Sequence, residues 1–178
     1  MTLLVNVRPA TAGDGPFLTE MLVHAAGWHA DRRLTLAAVL AAPELVHYVG
    51  GWPRRDDRGV VAELSRHHGD LPTGTPVGAA WLRYLTADDP GFGYVDDDTP
   101  ELIIGVDEPF RRRGVGRSLL AALAADAQSA GIEQISLGVE RGNGAVALYR
   151  ELGFETVSET AGDRVMLLRL GEGATSSG

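Results

Sequence analysis

An arginine- and glycine-rich stretch, RRRGVGRS, occupies residues 111–118, directly ahead of an alanine-rich helical pattern. A helix N-terminus presents free backbone N–H groups and a partial positive charge. Gly114 and Gly116 would let an anion approach that backbone closely, because no Cβ intervenes. The arginines add charge and Ser118 adds a hydroxyl, so the stretch predicts a phosphate or pyrophosphate site. The alternative is a solvated turn ahead of a surface helix.

Two familiar phosphate motifs do not fit this stretch. A Rossmann turn needs a third glycine where this chain has Leu119, and the connection over residues 107–113 is too long for that turn. A Walker loop needs a lysine, and the chain contains none. No G-x-S-x-G sequence is present either, which leaves a serine hydrolase without support.

Composition narrows the class of protein further. The 178 residues suit one domain with a full core, and the absence of cysteine excludes disulfides, thiolate zinc sites and cysteine nucleophiles. A net charge of −8 disfavours broad nucleic-acid binding, because a phosphate backbone would be repelled. No window approaches the run of about 18 apolar residues that crosses a membrane, and the N-terminus lacks a signal-peptide pattern. We therefore expect a cytoplasmic protein without membrane or nucleic-acid partners.

Periodicity places these residues in a mixed α/β order. Thr35 is predicted to cap one helix, which Pro43 ends, and Asp14 another, while residues 44–59 are predicted to form an irregular connection. Helices are predicted over residues 15–26, 36–42, 114–130 and 143–152. Strands are predicted over residues 2–10, 58–65, 76–85, 101–106, 132–139, 154–159 and 163–170. The strand–helix–strand crossover from 101 to 139 should be right-handed, with its two strands parallel.

Two motifs carry a resemblance to a known family. R-x-x-G-x-G, here Arg111 to Gly116 after an apolar strand, resembles the acyl-CoA-binding motif of the GNAT (general-control N-acetyltransferase) superfamily. Some thirty residues on, NGAVALYRELGFE resembles the family's Asn…LY-x-x-x-GF element, which starts here at Asn143. The two motifs come in the family's order and cover residues 101–156. The spacing of six from Asn143 to Tyr149 departs from the seven that many relatives use.

The resemblance implies a GNAT fold of the mixed α/β class. Its central sheet would be mixed and mostly antiparallel, with about six to seven strands, splayed at two parallel central strands and flanked by about four helices. We expect a single GNAT domain over residues 1–170 and a flexible tail over residues 171–178. Residues 43–75 match no general pattern and would help to shape the acceptor side.

The resemblance also implies residue roles. The backbone of the strand at Ile104 and Val106 would hydrogen-bond the pantetheine arm, and the Val106 N–H would polarise the thioester carbonyl. The predicted cofactor-binding residues are Ile104, Val106, Arg111, Arg112, Arg113, Gly114, Val115, Gly116, Arg117, Ser118, Asn143 and Tyr149. Asn143 would either contact CoA or only cap its helix.

Two predicted catalytic residues handle protons. Tyr149 is placed to protonate the departing CoA thiolate, and its alternative is a core tyrosine. Glu101 is a candidate base, because an amine of pKa near 10.4 is only about one part in a few thousand neutral at pH 7. Its alternative is a solvated strand end, and the backup is the acidic run Asp96, Asp97 and Asp98.

Histidines provide weaker signals. His67 and His68 are adjacent, so they point apart on a strand, and we predict no metal site. His24, Trp28 and His29 end the first helix, where relatives form part of the acceptor channel, although such residues more often finish a helix against the core.

The function that follows is direct transfer of an acetyl group from acetyl-CoA to a primary amine. The acceptor could be a small amine, an amino acid, an antibiotic or a peptide, and the acidic loop from Asp88 to Asp98 favours a cationic one. The alternative is a non-catalytic acyl-CoA-binding sensor or regulatory module of the same fold. Acetyl-CoA would be a co-substrate, no metal is expected, and the protein would be a monomer or a homodimer.

Overall fold

The structure is a computed structural model that describes residues 2–27 and 33–171. Its seven strands, β1 to β7, span Val5–Pro9, Arg58–Leu64, Pro76–Arg83, Glu101–Val106, Gln134–Glu140, Glu155–Glu159 and Asp163–Arg169. Its five α-helices, α1 to α5, span Gly15–Ala26, Leu36–Ala41, Pro43–Val46, Val115–Ser129 and Ala145–Glu151. Short 3-10 turns lie at Ala12–Asp14 and Glu108–Phe110.

The strands form one seven-stranded sheet in the order β1-β2-β3-β4-β5-β7-β6. The pairs β1–β2, β5–β7 and β6–β7 are antiparallel, and β4 pairs with β5 in parallel. The predicted mixed α/β fold with a mostly antiparallel sheet and one parallel central pair is thus confirmed. The splay of β4 and β5 beyond their paired residues stays a prediction.

The first of two compact units comprises the described residues of Met1–Trp81 and Ile103–Leu123. Glycines let its elements approach closely. A Cβ on Gly105 of β4 would overlap the carbonyl of Met21, so the α1 backbone lies against this strand. A Cβ on Gly78 of β3 would come within 3.1 Å of a Leu119 methyl, so α4 packs tightly on β3. These contacts hold the connection between β4 and α4 from both of its ends.

The second unit comprises the described residues of Leu82–Leu102 and Ala124–Gly178. Here β5 pairs with β7 from Gln134 opposite Arg169 to Glu140 opposite Asp163. The parallel pairing of β4 with β5 places Glu101 opposite Ser136. Ile135 and Leu137 of β5 and Met166 of β7 are buried.

Several local predictions are confirmed. The predicted apolar face of α4 is buried, with Val115, Leu119, Leu123 and Ala127 each at most 1% exposed. The Thr35 hydroxyl accepts a hydrogen bond from Ala38 N, which caps α2 as predicted. All of β3 from Val77 to Arg83 is buried, so this strand is covered on both faces.

Two local predictions are wrong. Asp14 makes no side-chain cap on α1, because its carboxylate accepts hydrogen bonds from Thr11 N and from the Arg8 guanidinium instead. The segment from 44 to 59, predicted as irregular, overlaps at its start with the short helix α3, Pro43–Val46. Within the described residues, no helix has the length and apolarity needed to cross a membrane.

Candidate functional site

The connection between β4 and α4, residues 107–114, is anchored at its apolar ends and open in its middle. Phe110 and Val115 are 2% and 1% exposed, whereas Arg112 and Gly114 are exposed. Phe110 belongs to the 3-10 turn and Val115 begins α4. The sequence therefore folds this segment as a surface loop whose conformation is held by two buried side chains.

The loop backbone adopts a left-handed conformation twice. Gly114 has φ +87°, which glycine adopts without steric cost, and Arg112 has φ +56°. Among the described residues, Arg112 is the only non-glycine with a positive φ. Such uncommon conformations persist where surrounding contacts impose them, and they cluster at functional sites.

The loop presents a row of unused backbone donors. In residues 2–27 and 33–171, no acceptor receives the backbone N–H of any residue from Arg112 to Gly116. The orphan N–H groups at the start of α4 carry the positive end of the helix dipole. The Ser118 hydroxyl donates to the Gly114 carbonyl oxygen at 3.2 Å, so in this structure it is occupied within its own helix turn. The arrangement can bind an anion chiefly through the backbone.

Arg111 is tied back to its neighbours. Its Nε donates to the Val106 carbonyl oxygen at 3.0 Å, and its Nη2 lies 3.3 Å from His24 Nδ1. On the other side of the imidazole, His24 Nε2 lies 3.6 Å from the Asp107 carboxylate. The Arg111 side chain therefore joins the end of β4 to the last turn of α1.

Arg113 is held in the same way by a different segment. Its Nη1 lies 3.2 Å from His68 Nε2, and its carbonyl oxygen accepts a hydrogen bond from Leu3 N at 2.8 Å. The His68 ring also packs edge-on against the ring of Phe110, with the centroids 5.6 Å apart. His68 thus contacts both the loop's charged middle and its buried anchor.

The strand ahead of the loop alternates in exposure. Ile104 and Val106 are half-buried, while Gly105 between them is buried against α1. Successive side chains point to opposite faces of a strand. Ile104 and Val106 therefore share one face, and Gly105 lies on the opposite face. The structure therefore places these two predicted binding residues side by side on one face.

Tyr149 in the second unit lies in a different environment. It is 8% exposed on α5, and its ring lies 5.7 Å from the ring of Phe154. Burial raises the pKa of the Tyr149 phenol to about 12, because the charged phenolate would lose its hydration. The hydroxyl therefore keeps its proton at every physiological pH.

Asn143 lies just ahead of the same helix, whose N-cap residue is Gly144. Its Oδ1 accepts a hydrogen bond from Ala145 N at 2.9 Å, directly at the start of α5. At the other end Gly153 has φ +99°, and Phe154 N donates back to the Tyr149 carbonyl oxygen at 2.9 Å. The hydrogen bonds at both ends fix the position of Tyr149 in a helix of only seven residues.

Glu101 is buried rather than solvated. It is 3% exposed, and its Oε1 accepts a hydrogen bond from Gly93 N at 2.8 Å. A Cβ on Gly93 would overlap the backbone of Leu137 and Gly138, so this loop lies directly on β5. The interpretation of Glu101 as a solvated strand end is therefore wrong.

The acidic run that was the backup base organises its own loop. Asp97 Oδ1 accepts from Ala87 N at 2.9 Å and from the Tyr94 hydroxyl at 2.6 Å. Asp96 Oδ1 accepts from Asp98 N and from the Thr99 hydroxyl. The hydrogen bond to Asp97 raises the pKa of Tyr94 to about 12. These carboxylates act as turn acceptors.

Sequence reasoning missed the partners of two histidines. His24 and His68 each contact an arginine of the loop, at separations of 87 and 45 residues along the chain. Local patterns hold no signal for such distant pairs. Trp28 and His29 lie outside the described residues. In the part of the chain that the structure describes, no three histidine or acidic side chains gather as a metal site would require.

A family model for the acetyltransferase (GNAT) family matches residues 16–154, which include the loop, Glu101 and Tyr149. The chain belongs to the GNAT family. Among GNAT relatives, mycothiol acetyltransferase of Corynebacterium aurimucosum is 33% identical over 122 residues. That alignment covers 62% of this chain and 38% of the relative, so the chain spans well under half the relative's length.

Solved GNAT structures show the same fold over nearly the whole chain. The ribosomal-protein-S18-alanine N-acetyltransferase of Escherichia coli is 19% identical, with a TM-score of 0.63, over 97% of this chain and 98% of that one. A phosphinothricin acetyltransferase of Sinorhizobium meliloti in complex with acetyl-CoA is 20% identical, with a TM-score of 0.61, over 98% and 91%. At these identities the likeness concerns the fold.

Proposed function

We propose that this GNAT chain is an acetyl-CoA-dependent N-acetyltransferase that transfers the acetyl group directly to a primary amine. The observation that carries the proposal is the row of backbone N–H groups without acceptors from Arg112 to Gly116, at the start of α4. Family membership supports it, as does the acetyl-CoA bound to the Sinorhizobium meliloti neighbour. The Escherichia coli neighbour is named an N-acetyltransferase, which supports an amine as acceptor.

The cofactor would be held mainly by backbone groups. The segment from Arg112 to Ser118 takes the pyrophosphate, with the charges of Arg112 and Arg117 beside it. The half-buried backbone at Ile104 and Val106 takes the pantetheine arm, and the Val106 N–H polarises the thioester carbonyl. We assign the loop's affinity to several charge-assisted hydrogen bonds of about 1.5–3 kcal/mol each.

The chemistry would divide between two buried side chains of the second unit. Glu101 accepts a proton from the acceptor ammonium, so that the neutral amine attacks the thioester carbon. The tetrahedral intermediate then collapses, the C–S bond breaks, and Tyr149 donates a proton to the departing sulfur. The nitrogen loses its remaining extra proton to the Tyr149 phenolate, which leaves a neutral amide and restores the phenol. Because the pKa of Tyr149 is raised to about 12, the hydroxyl is protonated and ready to donate across the working pH range.

The acceptor is proposed to be cationic, because the loop from Asp88 to Asp98 concentrates negative charge. Comparing kcat/KM for amines matched in size but differing in net charge tests this point. Equal values for cationic and neutral acceptors would remove the proposal. Residues 1–170 as one acetyltransferase domain, residues 171–178 as a tail, the cytoplasmic location and the monomer or homodimer state remain proposals of the same kind.

The experiment that tests the function is CoA release from acetyl-CoA, followed with a thiol-reactive dye across polyamines, amino acids, aminoglycosides and peptides. The chain contains no cysteine, so the protein itself adds no background. Release with one amine class, together with a product heavier by one acetyl group, supports the transferase. Tight acetyl-CoA binding without release for any acceptor would favour the non-catalytic sensor, and absence of binding would contradict both.

A further inference from the structure

Two histidines accept hydrogen bonds from two arginines of the loop, and this fixes their protonation. Arginine has only donors, so the ring nitrogen that faces each guanidinium must be unprotonated. His24 therefore carries its proton on Nε2, toward Asp107, and His68 carries its proton on Nδ1.

We propose that His24 and His68 are positioning residues that hold the loop in its anion-binding conformation. They contact Arg111 and Arg113, the two residues that flank Arg112 with its positive φ. The inference rests on the proposed function, because it takes the loop as the pyrophosphate site. In this proposal the guanidinium groups of Arg111 and Arg113 contact the histidines, and the loop backbone between these two arginines faces the ligand.

The physical reason is preorganisation. Arg112 occupies a conformation that non-glycine residues rarely adopt, so the loop must be held there by its flanks. Four contacts do this, namely those of Arg111 with Val106 and His24, and those of Arg113 with His68 and Leu3. A loop that is already ordered loses less conformational entropy when CoA binds. Removal of either histidine should therefore weaken CoA binding without removing any ligand contact.

The test compares acceptor-keeping and acceptor-removing variants by calorimetric titration with CoA at pH 8. His24→Asn keeps an acceptor near the position of Nδ1, and His68→Gln keeps one near Nε2, whereas His24→Leu and His68→Leu remove it. We expect each Leu variant to bind CoA about tenfold more weakly, while the Asn and Gln variants stay within about threefold of the parent. His67→Leu is the matched control, because His67 is exposed and makes no described contact.

The outcomes separate the inference from the proposed function. If the parent protein does not bind CoA, the proposed function fails. If it binds CoA and the Leu variants bind equally well, only the positioning role is overturned. The role is also overturned if the Asn and Gln variants are as weak as the Leu variants, or if His67→Leu weakens binding to the same extent.

Discussion

The loop ahead of α4 and the buried residues Tyr149 and Glu101 solve opposite physical problems. The loop is exposed, and its useful groups are backbone N–H donors that never change their protonation. Tyr149 and Glu101 are at most 8% exposed, and their proposed roles require them to give or take a proton. The loop must stay accessible to a large anion. Tyr149 and Glu101 instead transfer protons more effectively when water is excluded from them.

This difference predicts which substitutions each region should tolerate. A loop that binds through its backbone depends on φ angles and on the contacts that hold them, so most of its side chains should be replaceable. A proton-transfer residue depends on single atoms, so removing one oxygen should be enough to disable it. Substitutions of both kinds can break or sharpen this comparison.

Gly114→Glu should have the largest effect on CoA binding. The new side chain would strain a backbone held at φ +87° and place a carboxylate in the anion site, so we expect CoA binding to fall by more than about a hundredfold. Gly131→Glu is the matched control, since Gly131 follows the other end of α4 at φ +80° with open space around it. Calorimetric titration with CoA measures both, and equal losses would show that the effect comes from general destabilisation.

Tyr149→Phe should lower kcat by about 10²–10⁴ while leaving the Kd for CoA nearly unchanged, because only the donated proton is lost. Tyr94→Phe provides the comparison, since the Tyr94 hydroxyl bonds Asp97 in an exposed loop. With the pKa of Tyr149 at about 12, loss of its proton should not limit turnover below about pH 11. Unchanged kcat in Tyr149→Phe would remove its assignment as the acid.

Glu101→Gln should lower kcat by about a hundredfold if the carboxylate is the base. Glutamine still presents an oxygen to Gly93 N, so the loop on β5 should remain in place. Glu101→Ala removes both the base and that acceptor. Steady-state kinetics of the two variants therefore separate the roles, because activity kept by Gln and lost in Ala would make Glu101 an anchor of the loop.

Asp14→Asn should have the smallest effect. It should change the free energy of unfolding without changing CoA binding. The bidentate hydrogen bonds from Arg8 lower the pKa of Asp14 to about 2. Because the folded-state pKa lies below the unfolded one, this contribution is complete above about pH 4 and disappears as the pH falls through about 2. Arg8 is 36% exposed, so we discount the contribution to about 1 kcal/mol.

Urea unfolding of Asp14→Asn and the parent protein at several pH values measures this difference. The difference in unfolding free energy should be largest at neutral pH and should shrink as the pH falls through about 2. Glu155→Gln is the control, because Glu155 and Arg169 form a long 3.8 Å pair between exposed side chains. CoA affinity should be unaffected in both variants.

Much of the fold was predictable because its signals are local. The apolar face of α4, the β3 strand and the ends of α5 at Asn143 and Gly153 are all encoded within one turn or one alternation. Asp14 was mistaken for a simple helix cap because its partner Arg8 lies on β1, outside the helix pattern. A capping residue and an ion-pair partner look alike in a sequence, since both are short acids ahead of a helix.

In the candidate site, too, the local features were predictable and the long-range contacts were not. The motif of arginines and glycines predicted where a pyrophosphate loop would lie, because glycines and a helix start are local features. The sequence did not predict which loop arginines make contacts within the protein. Arg111 and Arg113 contact histidines that lie 87 and 45 residues away along the chain. Equally, the burial of Glu101 under Gly93 depends on a loop folding back onto β5.

By itself the sequence determined the family, the order of helices and strands, and the position of the loop, because each depends on residues close together in the chain. Only the tertiary structure decided that two loop arginines face histidines, that Arg112 is held at φ +56°, and that Glu101 is buried. Burial and long-range hydrogen bonds arise from segments that meet after folding. A linear pattern of residue types carries no record of which segments those will be.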